Sequence, residues 1–406
     1  MSLSLLRLDN FMIKIEDVRY LENQLITNRR YLHSHPEVGF NLIKTHDYVQ
    51  NILVNLGIFV ISHVGQNSLI GVIENGEGPI IGLRADMDSL PLTEDNQELP
   101  YCSQNEMMMH ACGHDAHTSI LISTADFLVT HKELWKGKVL LIFQEAEEGP
   151  DPGGALGVVK SGHVDDVQVF FGLHCAPQFQ VGKFAIKENE AMASADTFQM
   201  KLIGKGTHAA YPHLGIDPII MQAETILAIQ TITSRMIDPT DNCVITVAQV
   251  HAGTTHNIIP ESAFMEGTVR TFSTEVRKKV VKALEDCVQT VTSRYQGKYQ
   301  FNYTYGYDPL INQPGPTQYL KRVVHTVFGE NAMMDITKPS MGAEDFSKYI
   351  IHRTGAFVWL GTSSSIETAY GLHHPKFNID ESSLLYGTTL MINLVINNHN
   401  LKEIMK

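Results

Sequence analysis

Four short apolar runs, at residues 68–73, 80–83, 139–143 and 167–173, set the architecture of the first half of this chain. The first is a hairpin-like strand closed by Glu74-Asn75-Gly76. Between the second and third runs residues 118–130 read as a helix, and between the third and fourth residues 155–160 read as another. Apolar strands separated by helices predict an α/β domain with a mixed, largely parallel sheet flanked by helices. Ligands in such sheets collect at the carboxyl ends of the strands, so the endings matter more than the interiors. The second run ends in Arg84-Ala85-Asp86-Met87-Asp88, the third in Gln144-Glu145-Ala146-Glu147-Glu148-Gly149, and the fourth in His174-Cys175. Carboxylates and an imidazole therefore converge on one cleft.

The densest group of donors, His110-Ala111-Cys112-Gly113-His114-Asp115-Ala116-His117, lies in the loop between two of those strands. Soft sulfur and borderline nitrogen suit zinc or a neighbouring transition metal better than magnesium or calcium. A bend at Gly113 aims Cys112 and His114 at one centre. A polar loop ahead of a helix is the bland alternative, so the other strand ends have to supply more ligands.

From about residue 185 the texture changes. Strands at 197–203, 244–250, 264–272 and 299–307 and helices at 218–236 and 275–295 follow the order β-α-β-β-α-β. That is a ferredoxin-like α+β unit. It predicts an inserted lid or dimerisation domain over residues 187–308, with residues 1–186 and 309–406 forming the catalytic domain. A helix at 317–328, a strand at 357–360 and a helix at 382–397 complete the second half of that domain.

Two domains agree with a length of 406 residues. An apolar share of 43% and a charged share of 18% exclude a disordered chain. The formal net charge of −13 argues against a general nucleic-acid or anionic-membrane surface. Five widely spaced cysteines read as reduced thiols in a cytoplasm. Asp9, Lys14, Glu16 and Asp17 interrupt the first twenty residues, which therefore form neither a secretory signal nor a membrane span.

Neighbouring carboxylates at a strand end point apart, so one of Glu147 and Glu148 can bind a metal while the other faces the substrate. A carboxylate near a metal-bound water can take its proton. His174 ends a buried strand beside these loops and reads as a ligand. Either His373 or His374 could close the shell, but adjacent histidines diverge. In the inserted domain, His208 in a glycine-rich loop could donate a hydrogen bond to a developing oxyanion. Arg270 could hold a substrate carboxylate by a bidentate pair. Surface roles for His208 and Arg270 stay open on spacing alone.

At this point the ordered motifs resemble the M20 family of metallopeptidases, within it the amidohydrolase branch of hippurate hydrolases, N-acetyl-diaminopimelate deacetylases and plant auxin-conjugate hydrolases. The matches are HSHPEVGF at 33–40, RADMDSLP at 84–91, MHACGHDAH at 109–117, the stretches 144–149, 172–174 and 204–213, NIIP at 257–260, 267–270, GAEDF at 342–346 and 372–375. The resemblance implies two divalent metal ions (zinc, manganese or nickel) held by Cys112, His114, Glu148, His174 and His373, with Cys112 as the bridge. It implies Glu147 as general base and Asp86 as a second catalytic carboxylate that orients a ligand. His208, Asn257 and Arg270 match lid-domain positions that meet the substrate, His208 often from the partner subunit of a homodimer. The implied reaction is hydrolysis of the amide of an N-acyl amino acid, N-acetyl or aroyl, with a metallo-dipeptidase or carboxypeptidase as the runner-up. Glu145 stands where the family usually has proline, which places an extra negative charge beside the metals. A competing chemistry makes Cys112 a covalent nucleophile with a histidine base; it predicts chelator-resistant, alkylation-sensitive turnover.

Overall fold

Apolar runs with both faces covered become the centre of a sheet, and those with one open face become its margins. In the computed structural model, which describes residues 12–398 and 401, one sheet has eight strands. Their order across it is Phe59–Val64, Ser68–Asn75, Gly137–Gln144, Ile80–Asp86, Val169–Gln180, Gly355–Ser363, Phe184–Ile186 and Met333–Asp335. The four central strands, Gly137–Gln144 through Gly355–Ser363, run parallel to one another. Antiparallel pairing enters at the margins, where Ser68–Asn75 joins Phe59–Val64 and Gly137–Gln144, and Phe184–Ile186 joins Gly355–Ser363. Ser68–Asn75 does not form a hairpin with Ile80–Asp86, because Gly137–Gln144 is inserted between them. The alternation of strand and helix was legible in the apolar runs; this crossover was not, because both neighbours are equally apolar.

One face of the sheet, with Leu83, Leu141, Phe143, Phe171, Leu173 and Leu360, packs on helices His114–Thr130 and Ser383–Ile396. The other carries Phe170 and Phe357 against Phe346 and Tyr349. A fully buried Leu or Phe contributes roughly 1.5–3 kcal/mol, so burial on both faces, not the polar strand ends, holds the sheet together.

Helix His114–Thr130 begins four residues before the predicted start at 118, and the reason is Gly113. Its φ of +91° is left-handed, and a Cβ there would stand 2.8 Å from the Cys175 Cβ and 2.9 Å from its Sγ. Chain direction thus changes at Gly113, and the helix starts on His114. Gly113→Ala is expected to cost about 3 kcal/mol in denaturant unfolding, from left-handed strain plus overpacking. A loss under about 1 kcal/mol would show that the site relaxes easily.

The chain divides into two compact units. The first contains the sheet above: the described residues through Ala191, Ile311–Lys338 and those from Asp345 onward. The second is Met192–Leu310 with Pro339–Glu344. Its sheet has the order Cys243–Ala252, Ser262–Thr271, Ala195–Ile203, Lys298–Tyr307, antiparallel throughout. With helices Pro218–Thr231 and Thr274–Arg294 this is ferredoxin-like topology. Phe198, Met200 and Leu202 bury one sheet face against Met221, Ile229, Val280, Leu284 and Val288. Asp217 and Ser273 cap the two helices by accepting from their first free N–H groups.

The reading of the N-terminus as neither signal nor span falls in part on residues 1–11, which lie outside the described residues. No described helix is long and apolar enough to cross a membrane.

Candidate metal centre

The carboxyl ends of Ile80–Asp86 and Gly137–Gln144 lie side by side. Val169–Gln180 does not stop at His174-Cys175 as the apolar run suggests: its pairing with Ile80–Asp86 ends at Gly172, but pairing with Gly355–Ser363 carries the strand on to Gln180, so His174 is supplied from mid-strand. These polar residues meet beside the loop into helix His114–Thr130. His373 arrives from far down the chain on a loop tied by its own N–H to the Ala111 carbonyl at 2.8 Å. Its φ of +62° is left-handed, which turns the side chain toward the same place.

Cys112 Sγ lies 3.3 Å from His174 Nε2. His174 donates through Nδ1 to the Cys175 carbonyl at 2.7 Å, which leaves the Nε2 lone pair facing the thiol. Burial pushes the His174 pKa down to about 4, so the ring is a neutral donor. His114 Nδ1 donates to the Asp88 carbonyl at 2.9 Å. Its Nε2 is buried without a hydrogen-bond partner among the described residues. That nitrogen stands 3.6 Å from Asp86 Oδ2, 3.9 Å from Glu147 Oε2 and 4.0 Å from Glu148 Oε1. His373 Nε2 is 3.1 Å from Glu148 Oε1. Ligand atoms of one tetrahedral zinc lie about 3.3 Å apart, given bonds near 2.0–2.1 Å. Cys112, His114 and His174 form one group with ligand atoms within 4.8 Å of one another, and Cys112, Glu148 and His373 form another. Cys112 belongs to both.

The electrostatics favour a cation. Burial works against an imidazolium at His114, yet Asp86, Asp88 and Glu148 outweigh it and raise its pKa to about 10. Burial, then Glu148 and Glu147, push the Cys112 thiol well above its usual range. A dication resolves both at once, supplying the positive charge the carboxylates call for and deprotonating the thiol. The residues present fit a divalent metal pair.

His117 and His110 take no part as donors. The His117 Nδ1 donates to Asp86 Oδ1 at 2.6 Å and its Nε2 accepts from the Cys175 N–H at 2.8 Å, so both nitrogens are used. Asp86 in turn accepts from Arg84 Nη1 at 2.7 Å. Burial alone would raise the Asp86 pKa, but Arg84, His114 and His117 hold it well below the usual carboxylate range. His110 is buried on the side facing His33 and Asp115. Of the two C-terminal histidines, His374 stacks on Tyr370 and accepts from the Lys376 N–H, leaving His373 for the centre.

Glu145 departs from expectation. It does not add charge at the metals, because its side chain turns back to accept from the N–H groups of Gln66, at 2.8 Å, and Asn67. It is completely buried and closes the turn between the first two strands.

His208, Asn257 and Arg270 lie in the second unit. His208 lies in a two-stranded ribbon, Thr207–His208 with Ile258–Ile259, in which it pairs with Ile258; Asn257 immediately precedes the second strand, and Ala209 donates to its carbonyl at 3.0 Å. Arg270 sits on Ser262–Thr271, and its Nη1 is buried without a hydrogen-bond partner among the described residues.

Four supporting residues had no role assigned from spacing. Arg84 Nη2 donates to Asp345 Oδ1 at 2.8 Å and its Nε to Gln144 Oε1 at 2.9 Å, all fully buried. Asp88 accepts from the N–H groups of both Glu147 and Glu148. Asp345, inside GAEDF, comes from 261 residues beyond Arg84 in sequence, a separation no local pattern encodes. The alternation of Arg84, Asp86 and Asp88 at a strand end was the available signal.

Comparison with known proteins follows the same lines. Residues 82–397 match the profile of peptidase family M20/M25/M40. The N-acetyl-L-cysteine deacetylase of Bacillus subtilis (strain 168) is 36% identical over 368 residues, covering 90% of this chain and 86% of its own. The N-acyl-L-amino acid amidohydrolase of Geobacillus stearothermophilus is 37% identical over 302 residues, covering 73% and 81%. The crystal structure of the Bacillus subtilis YXEP protein, a dinuclear metal binding peptidase from the M20 family, superposes with a TM-score of 0.80 at 31% identity, covering 93% of this chain and 98% of that one. With a buried sulfur, imidazole and carboxylate cluster at its strand ends and a profile match over most of its length, the chain belongs to peptidase family M20 and is a hydrolase of that family.

Proposed function

We propose that this protein is a metal-dependent amidohydrolase that cleaves the amide bond of N-acyl amino acids, N-acetyl or aroyl. The observation that carries the reading is the position of Glu147. It is buried beside the donors Cys112, His114, Glu148, His174 and His373, with an oxygen 3.9 Å from His114 Nε2. Relatives named for deacetylation of N-acetylcysteine and hydrolysis of N-acyl amino acids support the substrate class.

Those five residues would hold two divalent ions, zinc, manganese or nickel, which when bound would supply Lewis acidity toward the amide carbonyl and a lowered pKa for the attacking water. Glu147 takes the proton from that water on its carboxylate and delivers it to the leaving nitrogen. Asp86 fixes the His117 ring and faces His114, so it orients the ligand set. His208 donates a hydrogen bond to the oxygen that gains charge. Asn257 and Arg270 hold the amino-acid part, Arg270 by pairing its guanidinium, whose Nη1 has no hydrogen-bond partner among the described residues, with the carboxylate.

The second unit serves as lid and as dimer interface. Among the described residues its strand Cys243–Ala252 is paired on one side only, by Ser262–Thr271, and it exposes Val244 and Val250. The neighbouring helix Pro218–Thr231 exposes Ile219, Ile220 and Leu227. Five free cysteines suit the cytoplasm.

A panel of N-acyl amino acids and dipeptides, assayed with defined metals, tests the reading. N-acyl amino acids are expected to turn over faster than dipeptides. Activity should vanish with a chelator and return with manganese, zinc or nickel. Turnover that resists chelation and disappears on thiol alkylation would overturn it in favour of a Cys112 nucleophile.

A further inference from the structure

His373 is the exception among the candidate donors. Its side chain is 53% exposed, whereas Cys112, His114, Glu148 and His174 are buried or nearly so. Packing around the ring therefore does not fix it. Nor does a ladder, because residues 364–382, between strand Gly355–Ser363 and helix Ser383–Ile396, form neither helix nor strand. What places His373 is the way its loop is fastened.

Part of the fastening is backbone. Besides the His373 N–H on the Ala111 carbonyl, the Asp95 N–H donates to the Pro375 carbonyl at 2.8 Å and Asn96 Nδ2 to the Phe377 carbonyl at 3.2 Å. The rest is Arg29, on helix Glu22–Ser34, whose side chain is wholly buried. Its Nη2 donates to Asn378 Oδ1 at 2.9 Å and its Nη1 to Glu381 Oε1 at 3.3 Å. Its Nε donates to Asp115 Oδ2 at 2.9 Å. Asp115 directly follows His114 in the first turn of helix His114–Thr130. The Tyr101 ring lies over the guanidinium, 4.8 Å from its carbon, and covers one face of it. One planar group thus joins the segment that carries His373 to the residue beside His114.

We infer that Arg29 is the positioning residue of His373, holding its loop at a fixed distance from the helix that carries His114, so that the Cys112, Glu148 and His373 half of the donor set closes. This rests on the reading of those residues as metal donors. The chemistry explains why the position takes arginine. Three acceptors on two segments have to be met from one dry point, and a guanidinium offers five N–H donors in a rigid plane that stays charged. A lysine ammonium is a point donor on a flexible stem and does not span Asp115 and Asn378 together. A methionine fills similar space and donates nothing. The other half of the donor set is oriented without Arg29, His114 by the Asp88 carbonyl and His174 by the Cys175 carbonyl. The expected effect is therefore one-sided.

The test uses the full-length protein, stripped of metal and titrated with zinc against a chromophoric chelator, with melting of the metal-free protein followed alongside. The wild type should show two binding steps, one for each group of donors. Arg29→Met is expected to weaken one step about 10–100-fold and to leave the other within about threefold. Arg29→Lys should resemble it. Asn378→Ala, which removes a loop acceptor and leaves the pair of Arg29 with Asp115 intact, should weaken the same step by less. Asp115 keeps a donor in each variant, His33 Nδ1 at 2.8 Å, so the metal-free fold is expected to survive. Two wild-type steps in Arg29→Met overturn the inference. So does an equal loss of both steps, which marks general damage, and so does full rescue by Arg29→Lys. If Arg29→Met does not fold, Asn378→Ala decides, and an unweakened step or a failure to fold there overturns the inference as well. The wild-type titration tests the underlying reading separately: fewer than two bound zinc ions defeats the reading, whereas a normal wild type with unaffected variants defeats only the role of Arg29.

Discussion

Glu147→Gln is expected to lower kcat by about 10²–10⁴-fold while the protein folds and binds zinc as before. Glutamine preserves size and the backbone N–H held by Asp88 at 2.9 Å, so the turn keeps its shape. What it lacks is a basic site, because a neutral amide does not accept the proton of the attacking water. The five candidate ligands remain in place, and KM should move little, since the loss concerns proton transfer and not ground-state binding. Steady-state kinetics with zinc content measured on the same sample separates the two. A kcat within about threefold of wild type would remove Glu147 from the mechanism.

The largest loss of stability is expected at Arg84. Its guanidinium is fully buried and reaches Asp86 at 2.7 Å, Asp345 at 2.8 Å and Gln144 at 2.9 Å. Arg84→Met keeps the length of the side chain but leaves two buried carboxylates without this cation. Removing one partner of a buried ionic cluster typically costs about 3–5 kcal/mol, and urea unfolding at neutral pH should show a loss of that size. The pH dependence has a definite sign. Asp86 is held well below the usual carboxylate range in the folded protein. It therefore contributes stability that is present above its unfolded pKa and is lost as pH falls through its folded pKa. The variant lacks that contribution, so the gap between wild type and Arg84→Met should narrow on acidification. A gap under about 1 kcal/mol at neutral pH would mean that the carboxylates find other partners.

How far the sequence could be read depended on the range of the interaction. The parallel centre of the sheet was legible because Ile80–Asp86 and Gly137–Gln144 are apolar runs that stop at polar residues and Val169–Gln180 opens with an apolar run, although its continuation through His174 to Gln180 was not. The short margins Phe184–Ile186 and Met333–Asp335 were not, since three residues carry no periodicity. The start of helix His114–Thr130 was misplaced because a helix buried on nearly all sides shows no apolar stripe. Within the site, donor chemistry was visible in residues such as Cys112, His174 and Glu148. The partners that orient them were not: Asp345 reaches Arg84, and Asp88 reaches the Glu147 turn, only once the strands are side by side. Glu145 shows the converse case, in which a charge next to the ligands in sequence is turned away from them in space.

The place of Gly355–Ser363 within the sheet has a consequence for biosynthesis. That strand pairs in parallel with Val169–Gln180, the strand that bears His174. As the chain leaves the ribosome, Val169–Gln180 has no neighbour on that flank until nearly all of the polypeptide has emerged, and His373 follows later still. Completion of the candidate donor set is thereby deferred to the end of synthesis. A chain interrupted before Gly355 would leave Val169–Gln180, with His174, at a sheet edge and would lack His373, the kind of surface that quality-control proteases and chaperones engage.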